Sequence, residues 1–203
     1  MAEGGDSGRA AHPPSSFHSD NADEWGEWVL DHGLPDMPTA LAEDDEVPIA
    51  CWAGRRFGVV LFRSWWSGGD ADDEDGIADQ ERDVNTDHYS YVRSDRGWVA
   101  AGAAGGVAGP AAHPLTPLDL PSDFAAVGGS FQDGDIAGVT GLVGRSAAVL
   151  ELTSDDDGNV RHAVEAPLNW FVVCFDRRKR VTLRILDSDE RPLLERTLAP
   201  GER

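Results

Sequence analysis

An acidic run in the first half of the chain has the residue types to hold a metal ion. Calcium prefers carboxylate oxygens in proteins, and four of them lie close together here: Asp70, Asp72, Glu74 and Asp75. The run departs from an EF-hand loop, because placing Gly76 at the sixth position puts Ala71 at the first and Arg82 at the twelfth. We weigh a weak calcium site against a solvated acidic loop over residues 67–87 and favour the loop. No other cofactor is predicted.

A basic turn near the end of the chain is the second candidate site. Four consecutive cations follow Asp176 in an otherwise acidic sequence: Arg177, Arg178, Lys179 and Arg180. One interpretation is a solvated hairpin tip whose charges offset the negative field of the rest of the protein. The other is a docking point for an acidic partner or a phosphate-bearing ligand. These four residues are the predicted partner-binding residues.

The net charge limits the classes of partner. The chain has 203 residues and a formal net charge of −20. Such a surface repels nucleic-acid phosphates and anionic lipid head groups, so the sequence predicts neither nucleic acid nor a membrane as a partner. A protein partner is favoured, and the sequence leaves the oligomeric state open.

The common motifs of catalytic centres do not occur in the sequence. There is no GxSxG, GxGxxG or HExxH pattern, and the Gly-rich stretch 102–109 has no GK[ST] and predicts a flexible connection. Cys51 and Cys174 stand alone in apolar runs, where two buried thiols are the simpler interpretation and a disulfide is the alternative. A non-catalytic binding or scaffolding protein is therefore the leading hypothesis. An enzyme with a site of dispersed residues and a calcium-responsive module are the alternatives.

Strands and one helix must position these residues. Trp25, Trp28 and Val29 recur at helical spacing after an acidic start, which predicts a short amphipathic helix over residues 21–32 that ends before Gly33. Short apolar runs bounded by turn residues then predict two hairpins. Their strands cover residues 47–53 with 57–66, and 88–93 with 98–101. Five further strands are predicted at 147–153, 160–166, 170–176, 181–187 and 193–198, and the third is apolar on both faces, as for a central strand.

The last third of the chain resembles prealbumin-like and immunoglobulin-like β-sandwich modules. The likeness rests on GVTGLVGRSAAVLELTSDDDGNVRHAVEAPLNWFVVCF, followed by the DRRKR turn and VTLRILDSDERPL. The chain is also similar to proteins of high-GC bacteria that pair a Gly-Trp hairpin, here Gly97 and Trp98, with such a module. The resemblance implies binding or scaffolding and brings no catalytic motif with it.

We expect a mainly β protein, with an antiparallel β-sandwich-like C-terminal part, an N-terminal β-hairpin region and one short helix. The predicted organisation is a disordered tail at residues 1–19, a helix and hairpin region at 20–112, a Pro/Gly-rich connection at 113–129 and the sandwich-like module at 130–203. The N-terminus has neither the basic nor the apolar region of a signal peptide, and no apolar run is long enough to span a membrane. The sequence therefore predicts a cytoplasmic protein.

Overall fold

The computed structural model describes residues 12–42, 44–66, 83–107, 115–154 and 158–199, and within these the protein is mainly β. One helix, α1 (Ala22–His32), precedes the strands. The strands of the N-terminal half are β1 (Glu46–Ala53), β2 (Phe57–Trp66), β3 (Asp83–Ser94) and β4 (Gly97–Val107). Those of the C-terminal half are β5 (Ala125–Asp133), β6 (Ile136–Val143), β7 (Ala147–Ser154), β8 (Gly158–Ala163), β9 (Trp170–Asp176), β10 (Val181–Asp187) and β11 (Pro192–Leu198).

Helix α1 forms where the sequence predicts it. Acidic Asp23 and Glu24 lie in its first turn, where they complement the helix dipole, and Gly33 ends it with a φ of 88°. Its apolar side, with Trp25 and Val29, is buried against one face of the first sheet. The helix thereby covers a sheet face that would otherwise expose large apolar side chains.

The first sheet has the strand order β1-β2-β3-β4, and all its pairs are antiparallel. Both predicted hairpins are confirmed, but the acidic loop predicted over residues 67–87 is wrong from residue 83 onward, because β3 begins at Asp83 and pairs there with β2. The prediction of a flexible connection from residue 102 onward is wrong up to Val107, because β4 continues to that residue opposite Asn85 of β3. Main-chain pairing overrides the low strand propensity of glycine there.

The C-terminal half forms two sheets, with the orders β5-β6-β9 and β11-β10-β7-β8. The five strands predicted from residue 147 onward are confirmed, with small shifts at their ends. Strand β9 is buried on both faces as expected, but it lies at the edge of its sheet, so its predicted central position is wrong. Packing of β1 and β2 against β9 buries it instead.

The largest core cluster joins the two halves of the chain. It contains Trp52 and Leu61 of the first sheet together with Phe171 of β9 and Leu183 of β10. A second cluster fills the space between α1 and the opposite face of the first sheet and includes Phe62 and Tyr91. The first sheet is therefore covered by the helix on one side and by the C-terminal strands on the other.

Candidate functional site: two clefts beside the basic turn

Arg178 holds the shape of the basic turn between β9 and β10. Arg178 donates to the Asp176 carboxylate from Nε at 2.9 Å and from Nη2 at 2.8 Å, and its main-chain N–H donates to the same carboxylate at 3.0 Å. This bidentate pair lowers the pKa of Asp176 to about 2. Of the four predicted partner-binding residues, Arg178 is thus held by an ion pair within the turn.

The neighbouring cations of the turn line two different cavities. Lys179 lines one, Arg177 lines the other, and Arg180 is exposed at the end of the turn. Arg177 directly follows β9, whereas Lys179 lies two residues further along the reversal toward β10, and the two cations line different cavities. The turn predicted from the sequence as one basic patch therefore contributes to two sites.

The first cavity, called the anchor cleft below, has a volume of about 120 Å³. Its floor is apolar and comes from three different parts of the fold: Trp52 and Phe57 around the β1–β2 turn, Leu152 and Val160 of β7 and β8, and Val181 of β10. Three cations lie at its rim, Arg55, Arg56 and Lys179, and the Asp176 carboxylate that also lines it is paired with Arg178. A dry cavity of about 150 Å³ can hold a benzene ring, so the anchor cleft has room for one apolar side chain.

The tight turn between β1 and β2 places the two arginines at this rim. Gly54 donates its N–H to the Phe57 carbonyl oxygen at 2.9 Å, and a Cβ at Gly54 would lie only 2.9 Å from the same oxygen. The Arg56 carbonyl accepts the N–H of Arg93 at 2.8 Å, and the Arg56 guanidinium lies 5.0 Å from the centre of the Phe57 ring. Arg56 therefore has a fixed main chain and an aromatic support for its charge.

The second cavity, called the seam groove below, has a volume of about 790 Å³ and lies between the β5–β6 hairpin and β11. Strands β5 and β11 are edge strands of their respective sheets. Exposed Ser130 and Gln132 of β5 line it, and Arg177 and Arg196 contribute its two cations. Its volume lies in the range of about 300–1,000 Å³ that is typical of ligand sites.

A buried polar cluster joins the first sheet to β5. Asp133 Oδ2 accepts a hydrogen bond from the Ser90 hydroxyl at 2.6 Å and lies 3.2 Å from His88 Nε2. The His88 ring also lies 4.0 Å from the ring of Phe131. Burial lowers the pKa of His88, and the Asp133 carboxylate partly offsets that effect.

The geometry of this cluster does not activate a nucleophile. In a serine-based catalytic group the hydroxyl must donate to an imidazole, which takes its proton. Here the Ser90 hydroxyl donates to the carboxylate instead, and Ser90 is fully buried. The cluster therefore connects β3 to β5 across the interior, and we assign it a structural role.

The predicted calcium ligands Asp70, Asp72, Glu74 and Asp75 lie outside the described residues, so the calcium hypothesis stays a prediction. Within the described part of the chain, no group of three or more histidine, cysteine or acidic side chains could hold a metal ion. Cys51 and Cys174 are free thiols, and burial raises the pKa of both. No helix among the described residues has the length and apolar character needed to cross a membrane.

Sequence reasoning missed two features of the site. The first is the pair Arg55 and Arg56, which lie between the predicted strands 47–53 and 57–66; two adjacent arginines at a hairpin turn are a sequence signal for a basic rim. The contact of His88 with Asp133 had no sequence signal, because the two residues are 45 positions apart and only the packing of separate sheets brings them together.

Comparison of the chain with family models, curated proteins and solved structures finds no match. The resemblance to prealbumin-like and immunoglobulin-like modules therefore remains a prediction.

Proposed function

We propose that this chain is a non-catalytic binding protein that captures an acidic segment of a protein partner at the anchor cleft. The observation that carries the proposal is the combination of an apolar floor with three cations at its rim in a chain of net charge −20. Interfaces derive most of their binding energy from a few apolar anchors in pockets, surrounded by polar contacts that exclude water. The anchor cleft has both parts of that arrangement.

The charges of the rim favour carboxylates as flanking groups. Arg55 and Arg56 are exposed, and the Arg56 guanidinium is held beside the Phe57 ring. Charge-assisted hydrogen bonds from guanidinium to carboxylate are short and about twice as strong as neutral ones. An acidic segment with one apolar residue would place that residue on Trp52 and Phe57 and its carboxylates on the rim.

The size of the cleft favours a protein segment over a free ligand. At about 120 Å³ the cleft is well below the roughly 300–1,000 Å³ of typical small-molecule sites. A single side chain fills such a volume, while the rest of a peptide can extend over the basic rim. We place this activity in the cytoplasm, in keeping with the two free thiols.

A labelled peptide tests the proposal directly. The probe is fluorescein-labelled Glu-Glu-Glu-Phe-Glu-Glu-Glu, and its binding to the full chain is measured by fluorescence anisotropy at 0.15 M salt. A second peptide with Ser in place of Phe measures the contribution of the apolar anchor. We expect the Phe peptide to bind at least about tenfold more tightly, since a buried phenylalanine contributes roughly 1.5–3 kcal/mol.

Two matched charge-reversal variants locate the site. Arg55→Glu/Lys179→Glu removes two rim cations, and Arg145→Glu/Arg191→Glu makes the same change of charge at two exposed turns at the opposite end of the β7–β10 pair. We expect the first variant to abolish binding and the second to retain it. Equal losses in both variants would show that only net charge matters and would overturn the proposal, as would binding of inorganic phosphate at the cleft without binding of either peptide.

A further inference from the structure

Strand β4 leaves one edge of the first sheet without a neighbouring strand. It is the last strand in the order β1-β2-β3-β4, and among the described residues it pairs only with β3. In an antiparallel pair, alternate residues point both their N–H and their C=O away from the neighbouring strand. The outer side of β4 therefore presents main-chain donors and acceptors to which a further strand can bind.

The composition of β4 gives this edge little protection against such pairing. Natural edge strands commonly carry charged residues or proline, which discourage the addition of a further strand. Strand β1 has Glu46 and Pro48, and β11 has Pro192 and Glu195. The eleven residues of β4 include neither a charged residue nor a proline. Among these edge strands, β4 is thus the one whose own side chains leave the edge open.

The side chains of β4 are exposed on both faces of the sheet. Ala103 and Ala104 point to opposite faces, and both are exposed, while Val99 is 53% exposed. The register with β3 shifts at Ala101, so the longest regular stretch of the edge is residues 102–107. Small exposed side chains along this stretch leave room for the side chains of an added strand.

Two carboxylates lie against β4 at two of its glycines. A Cβ at Gly105 would overlap Oδ1 of Asp87, and a Cβ at Gly102 would lie 2.9 Å from the carboxyl carbon of Asp133. Because Gly105 is the register partner of Asp87, its missing side chain lets this carboxylate extend from β3 over β4, toward the free edge. The edge is therefore uncharged in its own sequence but has acidic groups beside it.

Asp87 is held in place by a neutral group. The Asn85 side-chain amide donates to both carboxylate oxygens, at 2.9 and 2.8 Å. This amide orients the Asp87 carboxylate without neutralising its charge. Burial raises the pKa of Asp87, and a cation brought by a partner would favour the charged form.

We propose that an extended basic segment of a partner protein adds as a strand to the free edge of β4, along residues 102–107. Main-chain hydrogen bonds to β4 hold the segment, and its lysine or arginine side chains pair with the Asp87 carboxylate. This binding mode is separate from the anchor cleft, which we propose for acidic segments.

Charge favours a basic segment over a second copy of this chain. Each copy has a formal net charge of −20, and pairing two β4 edges would also bring the Asp87 carboxylate of each copy into the same contact. At physiological ionic strength, charges act over about 8 Å, so carboxylates beside the edge repel a second copy and attract lysine side chains. The same edge that resists self-association is thus suited to a cationic strand.

The test uses a fluorescein-labelled peptide with alternating residues, Thr-Lys-Val-Lys-Val-Lys-Thr, and its counterpart Thr-Glu-Val-Glu-Val-Glu-Thr. Binding to the full chain is followed by anisotropy at 0.15 M salt, and hydrogen exchange of the β4 amides is measured with and without peptide. We expect the Lys peptide to bind at least about tenfold more tightly than the Glu peptide. Exchange should slow at least about fivefold at alternate amides within residues 102–107. Binding without protection of these amides would overturn the proposal.

Two N-methylated forms of the Lys peptide distinguish strand addition from attraction by net charge. One form carries N-methyl groups on its lysines, and the other carries them on its valines and last threonine. A peptide at a sheet edge uses the N–H groups of alternate residues only, so one form should lose binding while the other retains it. Loss of binding in both forms or in neither would overturn strand addition.

A matched pair of lysine variants locates the site. Ala103→Lys places a charge on the β4 edge, and Ala163→Lys makes the same change at an exposed position of β8, an edge strand of a different sheet. We expect the first to weaken binding of the Lys peptide at least about fivefold and the second by less than about twofold. Equal losses would show that only net charge matters and would overturn the proposal.

Asp87→Asn tests the pairing of the partner's cations, because it removes the charge and keeps the shape of the side chain. We expect about threefold weaker binding of the Lys peptide, as for one partly exposed ion pair. Unchanged binding would overturn the assigned role of Asp87.

Two further outcomes separate this proposal from its alternatives. A dimer that forms without peptide and protects the same β4 amides would assign the edge to a second copy and overturn the proposal. Ala103→Lys should still bind the Glu-Glu-Glu-Phe-Glu-Glu-Glu peptide, because the anchor cleft does not include β4. The proposed function and strand addition at β4 can therefore fail independently.

Discussion

Arg178 closes a bidentate ion pair on Asp176 two residues earlier, with both hydrogen bonds shorter than 3 Å. The carboxylate is buried and the guanidinium is largely exposed. The pair fixes the start of the turn that carries Arg177 toward the seam groove and Lys179 toward the anchor cleft. Its loss should therefore affect both stability and the placement of these two cations.

The Asp176 pair predicts a loss of stability in acid. Because the pKa of Asp176 is lowered from 3.8 to about 2 in the folded protein, the unfolded chain binds a proton there first as the pH falls. The stabilisation is complete above about pH 4 and is lost between about pH 4 and pH 2. Solvent screens the exposed guanidinium, so we expect about 1 kcal/mol rather than the full value of the pKa difference.

Urea unfolding of Asp176→Asn across this pH range measures the contribution. The variant should be less stable than the wild type at pH 6 and should approach it at pH 2. Asp95→Asn, at an exposed turn residue, is the control and should follow the wild type throughout. A difference between Asp176→Asn and the wild type that is the same at every pH would contradict the ion-pair account.

Gly102 allows Asp133 to approach the first sheet. A Cβ at Gly102 would lie 2.9 Å from the carboxyl carbon of Asp133, so alanine would push this carboxylate away from His88 and Ser90. We expect Gly102→Ala to destabilise the protein by about 1–3 kcal/mol, as other overpacked sites do. Thermal unfolding compared with Gly128→Ala, whose Cβ would meet no atom within 4 Å, tests this. Similar melting temperatures for the two variants would contradict it.

Arg63 is a buried cation whose replacement should stabilise the fold. Its side chain is 6% exposed, its Nε has no hydrogen-bond partner, and burial lowers its pKa. Desolvation of an unpaired charge costs several kcal/mol, whereas its stacking over Trp170 at 5.8 Å returns about 2 kcal/mol.

Methionine is the matched replacement, because it keeps an unbranched apolar stem and a favourable contact with an aromatic ring. We expect Arg63→Met to raise the free energy of unfolding by about 1 kcal/mol or more, measured by urea unfolding at pH 7. Arg93→Met is the control, since Arg93 also lies over an indole but is exposed. A less stable Arg63→Met protein would show that Arg63 contributes contacts beyond those seen here.

If the run with Asp70, Asp72, Glu74 and Asp75 is a solvated loop, as we favour, calcium should not specifically stabilise the protein. Thermal melts with EDTA, calcium or magnesium at fixed ionic strength should then coincide. A site occupied at one hundred times its dissociation constant would add about 2.7 kcal/mol, a shift of several degrees. A rise with calcium alone, lost on neutralising the four carboxylates, would reverse this interpretation.

Local sequence patterns predicted the helix and hairpins, because these elements are determined by residues close together in the chain. The spacing of Trp25 and Val29 indicated α1, and the turn residues around Gly97 indicated the β3–β4 hairpin. Relations between distant segments were missed for a physical reason: they are set by packing of separate sheets. Strand β9 is buried although it lies at the edge of its sheet, because β1 and β2 pack against it. The β5–β6 hairpin was missed because Gly128, Gly129 and Gly138 weaken its strand signal.

The candidate site was likewise predictable only where residues adjacent in the chain define it. Four adjacent cations in the sequence indicated the basic turn. That these cations line two different cavities depends on how the turn folds, including the Arg178 pair with Asp176. The anchor cleft could not be predicted from the sequence, because its floor is formed by residues as far apart in the chain as Trp52 and Val181. No local pattern connects such residues.

The contrast between a basic rim and a net charge of −20 predicts an unusual salt dependence of binding at the anchor cleft. At about 0.01 M salt the Debye length is about 30 Å, so an acidic peptide is repelled by most of the protein. At 0.15 M it is about 8 Å, which screens the distant acidic residues while Arg55, Arg56 and Lys179 still act on the peptide. At 1 M it is about 3 Å, and the rim is screened as well.

We therefore expect the affinity for the Glu-Glu-Glu-Phe-Glu-Glu-Glu peptide to pass through a maximum near 0.15 M salt. Anisotropy titrations at 0.01, 0.15 and 1 M NaCl measure it, and the Ser-containing peptide serves as the control for the apolar anchor. A steady fall of the affinity with salt would mean that attraction by the rim cations exceeds repulsion by the distant acidic residues even at 0.01 M salt. A steady rise would mean that the rim contributes nothing and that the apolar floor alone binds the peptide, which contradicts the proposed role of the three cations.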